Sequence, residues 1–307
     1  MTPLEEFENF YIQKLQPVMG KLKKECSSAD NWGYAALFSF IIALISGITA
    51  LRNSRVSFAG ILSITSLAVT VVSVYLFTKR NDNFTDDYKQ LIVKEIINQV
   101  IPGAVYKPDF CISQKEYKAS GLFRIWYDDY SGDDFIEGTY KNVSFRCSGL
   151  ETNYENNATI FKGFFFNGKI SSAVMGGTYI WDSNFEQLPA TLMDEYRMMP
   201  LPRVARVAVS NNTFNNYFSV CSTIPYEALT LLTTGRINQM INLKKKLNAD
   251  IAFSFVSGHC YVAVAVGEDI LEPGEYNPED KDQIMKSYLT ISLIPEVINC
   301  LSLYELV

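Results

Sequence analysis

The chain has 307 residues, with 27 Lys and Arg against 33 Asp and Glu, for a formal charge of −6. An acidic chain whose one basic run is Lys244-Lys245-Lys246 lacks the basic face of a nucleic-acid binder. A single histidine, His259, excludes every multi-histidine metal site. Cys26, Cys111, Cys147, Cys221, Cys260 and Cys300 are scattered without a C-x-x-C pair, which excludes a disulfide-stapled miniature and suits a reducing compartment.

Residues 1–31 are the first segment. Leu4, Phe7, Tyr11, Leu15, Val18 and Leu22 recur at helical spacing with Glu5, Glu6, Glu8 and Lys14 between them, which predicts an amphipathic helix kinked at Pro17. Its apolar face has three possible settings: the membrane surface, another helix, or the soluble domain that follows. The acidic residues between fit an anionic surface poorly.

Residues 32–78 read as a transmembrane helical hairpin. The runs 32–51 (Trp32 to Leu51) and 56–78 (Val56 to Thr78) hold no charged side chain, and only Arg52-Asn53-Ser54-Arg55 separates them. A helix needs about 20 apolar residues to cross the hydrocarbon core. A cleaved secretory signal would begin almost at once, whereas a charged stretch precedes the first run. Each run carries a small-residue stripe: Ala36, Ser39, Ala43, Ser46 and Ala50 in the first, Ala59, Ser63, Ser66, Thr70 and Ser73 in the second. Close approach along small faces drives helix association in lipid, so the stripes are expected to face each other. Packing on a protein partner or a second copy is the alternative. Neither run has the ionisable residues that mark an ion or proton route. Lys21, Lys23 and Lys24 before the hairpin and Lys79 and Arg80 after it outnumber Arg52 and Arg55 in the loop, which favours cytoplasmic termini.

Residues 79–307 read as a soluble α+β domain with mainly antiparallel sheet and peripheral helices. Asn83 to Val100 has a helical face of Leu91, Ile92, Ile96 and Val100, with Thr85 as its cap and Asp86 and Asp87 in its first turn. Strand signatures follow at Gly121–Trp126, Thr139–Phe145, Thr159–Phe166 and Val204–Val209. Pro225–Leu232 and Gly235–Leu247 read as helices, the second capped by Thr233 or Thr234. Ile251–Val256 and Cys260–Val266 form a hairpin through Ser257-Gly258-His259. A last helix, interrupted near Pro295, covers about 279–301. Strands in blocks with helices set apart make the class α+β.

The hairpin followed by Tyr106-Lys-Pro-Asp, Ser120-Gly-Leu-Phe, Asp129-Tyr-Ser-Gly-Asp-Asp, Gly138 and Ile160-Phe-Lys-Gly-Phe-Phe resembles the bacterial membrane-protein family defined by the domain of unknown function 3137. Phe214-Asn-Asn-Tyr-Phe-Ser-Val, Glu227-Ala-Leu-Thr-Leu-Leu-Thr and the strand pair ending near Leu271-Glu-Pro fit the same order and spacing. Ser148-Gly149-Leu150-Glu151 departs from that pattern, as does the spacing of Val174–Pro202. The resemblance implies a membrane-tethered cytoplasmic domain and supplies no reaction.

Chemistry must therefore come from the residues. Asp128, Asp129, Asp133, Asp134 and Glu137 surround Ser131-Gly132, where a hard cation would take Asp129, Asp133 and Asp134, while the plainer reading is a solvated turn. His259 is the one candidate imidazole base, with Cys111, Cys147 or a serine as conceivable nucleophiles and a tolerated hairpin residue as the plainer reading. Gly176-Gly177 lacks the lysine of a nucleotide loop, and Gly235-Arg236 is an isolated anion-site possibility. Phe161, Phe164, Phe165 and Phe166 with Trp126, Tyr127, Tyr130, Tyr179 and Trp181 read as sheet core or partner surface.

No cofactor is expected. The expected partners are the lipid bilayer and an unidentified protein or a second copy, without nucleic acid. The reading is a membrane-anchored, cytoplasmic-facing binding or scaffold protein, more a binder than an enzyme, in a bacterial inner membrane. A tethered hydrolase using His259 or the turn Asp128–Asp134, and a self-associating hairpin, are the alternatives.

Overall fold

The computed structural model describes residues 3–52, 58–154, 158–170, 176–182, 204–267, 271–273 and 280–307. Asn53, Ser54 and Arg55 of the hairpin loop, and most of Val174–Pro202, lie outside them. The chain divides into two compact units, Met1–Glu95 with Glu272–Met285, and Ile96–Leu271 with Lys286–Val307.

The first unit is built on two long helices. Helix α1 (Pro3–Phe10) passes through a π-turn at Tyr11–Leu15 into α2 (Gln16–Arg52). Pro17 has no N–H and its ring crowds the carbonyl of Gln13, so one extra residue is taken up just before it, with the Gln16 N–H reaching back to Tyr11 O. The helix bulges where the sequence predicts a kink, and it continues. Helix α3 (Phe58–Tyr88) runs through a second π-turn, Lys89–Val93, into α4 (Lys94–Val100). The helix expected to start at Asn83 is thus the continuation of the second apolar run, and Thr85 caps nothing. No Gly or Pro separates the apolar stretch from the polar one that follows it.

The pair is antiparallel. Lys21 Nζ meets Asp87 Oδ2 at 2.5 Å, a Cβ at Gly33 would lie 3.3 Å from the Phe77 ring, and Ser39 Oγ lies 2.8 Å from Thr70 Oγ1. Two ion pairs fasten the returning segment Glu272–Met285 to this unit, Lys89 Nζ to Glu272 Oε1 at 2.6 Å and Lys281 Nζ to Glu8 Oε1 at 2.5 Å.

The second unit carries one antiparallel sheet, ten-stranded among the described residues. Its strands are β1 (Val105–Lys107), β2 (Asp129–Ser131), β3 (Phe135–Tyr140), β4 (Val143–Tyr154), β5 (Ala158–Lys169), β6 (Thr178–Asp182), β7 (Ala205–Arg206), β8 (Phe218–Ser222), β9 (Asp250–Val256) and β10 (His259–Ala265). The order is β1-β3-β4-β5-β10-β9-β6-β8-β7, with β2 paired to β4. Thr139–Phe145 is a hairpin where one strand is expected, because Lys141 and Asn142 both take positive φ and turn the chain. Ser257 and Gly258 do the same between β9 and β10.

Both faces of the central strands are buried. On one face Phe161, Phe165, Ala252, Tyr261 and Ala263 pack with Ile112, Tyr117, Leu122 and Phe123. Helix α5 (Gln114–Ala119) and the chain beside it form this cover. Gly121–Trp126 is therefore lid and not strand, its Leu122 and Phe123 turned down onto the sheet and Leu122 O accepting from Trp181 Nε1 at 2.9 Å. Val204–Val209 narrows to the two-residue β7. The alternation of Phe164, Phe165 and Phe166 splits them between faces, and all three are buried, which assigns the rings to core.

Three further helices are α6 (Asn212–Asn215), α7 (Pro225–Leu231) and α8 (Thr234–Leu247), the last capped by the Thr233 side chain accepting from the Arg236 N–H at 3.3 Å. Helix α9 (Lys281–Cys300) runs unbroken through Pro295. Buried Arg236 donates from Nε to Leu301 O at 2.7 Å and from its guanidinium to Leu231 O, so one cation closes the C-terminal ends of α7 and α9.

Gly163 of β5 pairs with Ala265 of β10, and an added Cβ there would sit 2.1 Å from Val264 O. We expect Gly163→Ala to cost about 2 kcal/mol or more, a drop of roughly 4–8 °C in the melting midpoint of the detergent-solubilised chain. An unchanged midpoint would contradict the close pairing.

Candidate functional site

The two small stripes meet along the helix pair. Ser39 and Thr70 share a hydroxyl bond, Ser63 Oγ donates to Ala43 O at 3.0 Å, and a Cβ at Gly47 would lie 3.2 Å from Ser63 Oγ. Ser39, Ala43, Ser46, Ser66 and Ser73 are buried. Ala36, Ala50, Ala59, Ser63 and Thr70 are half-buried. Ser46 Oγ donates to Ile42 O at 2.6 Å and Thr70 Oγ1 to Ser66 O at 2.9 Å, each within its own helix. What faces outward is large and apolar: Phe38 is 64% exposed, Ile45 61%, Ile64 73% and Val71 65%. The two helices are long and apolar enough to cross a membrane, and only 17% and 11% of their most apolar stretches are buried. A core helix of a soluble protein would be mostly buried.

His259 opens β10 opposite Lys169 of β5 and Val256 of β9. Its Nδ1 lies 2.8 Å from Asn167 Oδ1, and its ring stacks on Tyr261 at 5.7 Å. Asn167 Nδ2 donates to Glu116 Oε1 at 3.0 Å, which requires Asn167 Oδ1 to face the imidazole as an acceptor. Nδ1 therefore carries the proton, and Nε2 keeps its lone pair. Arg146 Nη1 also donates to Glu116 Oε1 at 3.0 Å. Ser113 caps α5, accepting from the Glu116 N–H at 3.3 Å and donating from its Oγ to Glu116 Oε2 at 3.0 Å. Burial pushes the Glu116 carboxyl up, and the Arg146, Ser113 and Asn167 donors outweigh it and leave the group below its usual range. Burial lowers the His259 pKa, with Lys169 and Arg146 adding to that and Glu116 opposing.

This network pairs a neutral imidazole with an orienting amide and a carboxylate, a base without an assigned nucleophile. Burial pushes Cys147 and Cys260 well above the usual thiol range and raises Cys111, which leaves thiols where a nucleophile needs thiolate.

The acidic turn separates its members. Asp128 and Asp129 are exposed. Asp133 is half-buried, and Asp134 is buried at positive φ, accepting from Tyr106 Oη at 2.5 Å. The turn is thus not wholly solvated, since Asp134 acts as a buried brace. Asp133 and Asp134 bring carboxylate oxygens within 4.8 Å of each other.

The phosphate candidates are engaged by the chain itself. Gly176 N–H donates to Glu227 Oε2 and Gly177 N–H to Thr223 Oγ1, both at 2.8 Å, and Arg236 is committed to backbone carbonyls. The lysine run is likewise used. Lys244 bridges buried Asp182 and Asp250, Lys245 lies 6.0 Å from the Tyr217 ring, and Lys246 pairs with Glu296 at 2.7 Å. Sequence reasoning missed Asn167, Glu116 and Arg146. The S-x-x-E spacing was readable, but the register that places Arg146 opposite Asn167 was not.

Residues 159–303 match the family model described as a protein of unknown function (DUF3137), so the family expected from the sequence is found over that stretch. No curated protein matches the chain. A solved structure, the mycobacterial trehalose monomycolate transport factor A (TtfA), aligns at 10% identity with a TM-score of 0.37 over 70% of this chain and 96% of that one. At that score it carries no argument here.

The environment of His259 fixes a titration. We expect its imidazole, followed by NMR in the full chain, to protonate below the ordinary value of 6.5. Glu116→Gln removes the one opposing charge and should move the midpoint lower still. The unfolded chain binds this proton more readily, so the contribution of His259 to stability is present above about 6.5 and is lost progressively as pH falls from there through the lower folded midpoint. A midpoint that rises in Glu116→Gln would contradict the network.

Proposed function

We propose, taking the DUF3137 domain over residues 159–303 as the premise, that this chain is a membrane-anchored binding or scaffold module. Helices α2 and α3 are the anchor, and the sheet domain faces the cytoplasm. The observation that carries the anchor is the outward display of large apolar side chains such as Phe38, Ile64 and Val71 over a length matching a bilayer. The cytoplasmic side is supported by the Lys21, Lys23, Lys24, Lys79 and Arg80 excess before and after the hairpin, and by six free cysteines. A bacterial inner membrane fits that orientation.

The binding role is supported by the use of conspicuous side chains for structure: the aromatics fill the core, the lysine run is paired, and the Cys147 and Cys260 thiols are buried and raised in pKa. A second reading, a tethered hydrolase, is favoured by one feature, the Nδ1–H tautomer that Asn167 imposes on His259. Self-association through the small stripes has less room, because those faces are occupied within the chain.

Alkaline carbonate washing of native membranes tests the anchor: the intact chain should remain in the pellet, and release into the wash would end this proposal. Partners captured from those membranes should be the same for the unaltered chain and for His259→Ala. Loss of an activity on that substitution, with capture intact, would move the assignment to the hydrolase.

A further inference from the structure

We infer that one helix seam passes through two solvents. The bilayer ends near Trp32–Tyr34 on α2 and Tyr75–Phe77 on α3, and both helices continue past it as a stalk in water. The inference rests on the membrane-anchored reading above and specifies which part of the first unit meets lipid.

The seam on the first helix is continuous. Leu15, Met19, Leu22, Cys26 and Ala29 are buried at alternating steps of four and three, and Gly33, Ala36, Ser39, Ala43, Ser46 and Ala50 continue the same line. On the second helix Ser63, Ser66, Thr70 and Ser73 lead on to buried Phe84, Tyr88 and Ile92. Only the chemistry changes along it. On the near side of Gly33 the seam passes from large apolar Leu15, Met19 and Leu22 to the smaller Cys26 and Ala29, with large Phe84, Tyr88 and Ile92 on the second helix, while Gln13, Lys14, Gln16, Lys21, Lys23 and Lys24 are exposed, the arrangement water imposes on a helix pair. Beyond Gly33 the seam is small and the exposed positions are Phe38, Ile41, Ile45 and Ile48, the arrangement lipid imposes.

The change falls at one level of the antiparallel pair, since Gly33 lies against Phe77 and Lys21 against Asp87. Tyr34 and Tyr75, each 63% exposed, sit at that level, where interfacial aromatics belong. Residues 34–51 and 58–75 would each extend about 27 Å, close to the roughly 30 Å hydrocarbon core. Residues 5–31 would add a stalk of about 40 Å. The occupant of the outer face is lipid acyl chain: that face is apolar around both helices, whereas the small residues that would admit a second copy closely are spent in the seam.

Hydroxyl-radical footprinting of the unaltered chain in phosphatidylcholine and phosphatidylglycerol nanodiscs tests this without a variant. After correction for intrinsic reactivity, Phe38, Ile45, Ile64 and Val71 should be oxidised at least ten-fold less than Ile12 of the stalk, which is 56% exposed. Tyr34 and Tyr75 should fall between. Equal oxidation at Phe38 and Ile12 would overturn the boundary, as would protection of Ile12 to the level of Phe38. Protection confined to one sector and lost at one chain per disc would overturn lipid as the occupant in favour of a second copy. If alkaline carbonate releases the chain, the anchor itself falls; if the chain stays in the pellet and the footprint disagrees, only the boundary does.

Discussion

The hydroxyl bond between Ser39 and Thr70, with the Ser63 bond to the Ala43 carbonyl beside it, fixes the register of two helices that everything else in the first unit inherits. Such bonds contribute about 0.6 kcal/mol each in lipid. They are too weak to hold the pair alone, and the short link between α2 and α3 makes that unnecessary. Their effect is on phase. With Ser39 opposite Thr70, Gly33 comes opposite Phe77 and Lys21 opposite Asp87, so a slip by one turn would separate the ion pair.

The sheet domain solves a different problem with the same economy of position. A sheet buried on both faces cannot alternate polar and apolar residues, so the middles of β5, β9 and β10 are mostly apolar, with Asn167 of β5 and Ser254 of β9 as buried polar exceptions. The lid over one face is irregular chain, held by Tyr130 Oη donating to Ile112 O at 2.6 Å and Ser254 Oγ donating to Ser120 O at 2.7 Å. The burial that makes this core also raises the phenol of Tyr261 to about 12. Its polar margin is the His259 network, where the apolar face runs out and Glu116, Arg146 and Asn167 take over.

Much of this was legible from residue order. The apolar runs, the stripes and the α+β class follow from local period, because a helix seam and a strand face are both short-range patterns. Thr139–Phe145 misled because Lys141 is a poor marker for a left-handed turn, and Gly121–Trp126 because an aromatic lid and an aromatic strand have the same composition. The helix at Asn83 was split from α3 because Thr85-Asp86-Asp87 is good capping chemistry wherever it stands, and only the packing of Phe84 and Tyr88 keeps the helix going. The His259 partners were hidden by distance: Glu116, Arg146 and Asn167 meet only when α5, β4 and β5 are assembled.

The anchor and the stalk both depend on the environment of one continuous helix, Phe58–Val100. The most direct measurement is a nitroxide scan along its outer positions in lipid bilayers, reading collision with oxygen against collision with a water-soluble nickel chelate. Oxygen should dominate from Ile61 to Val74 and the nickel chelate from Arg80 to Gln90, with the crossover near Phe77. Nickel access throughout would contradict a membrane anchor, and oxygen dominance extending past Asp86 would contradict the stalk.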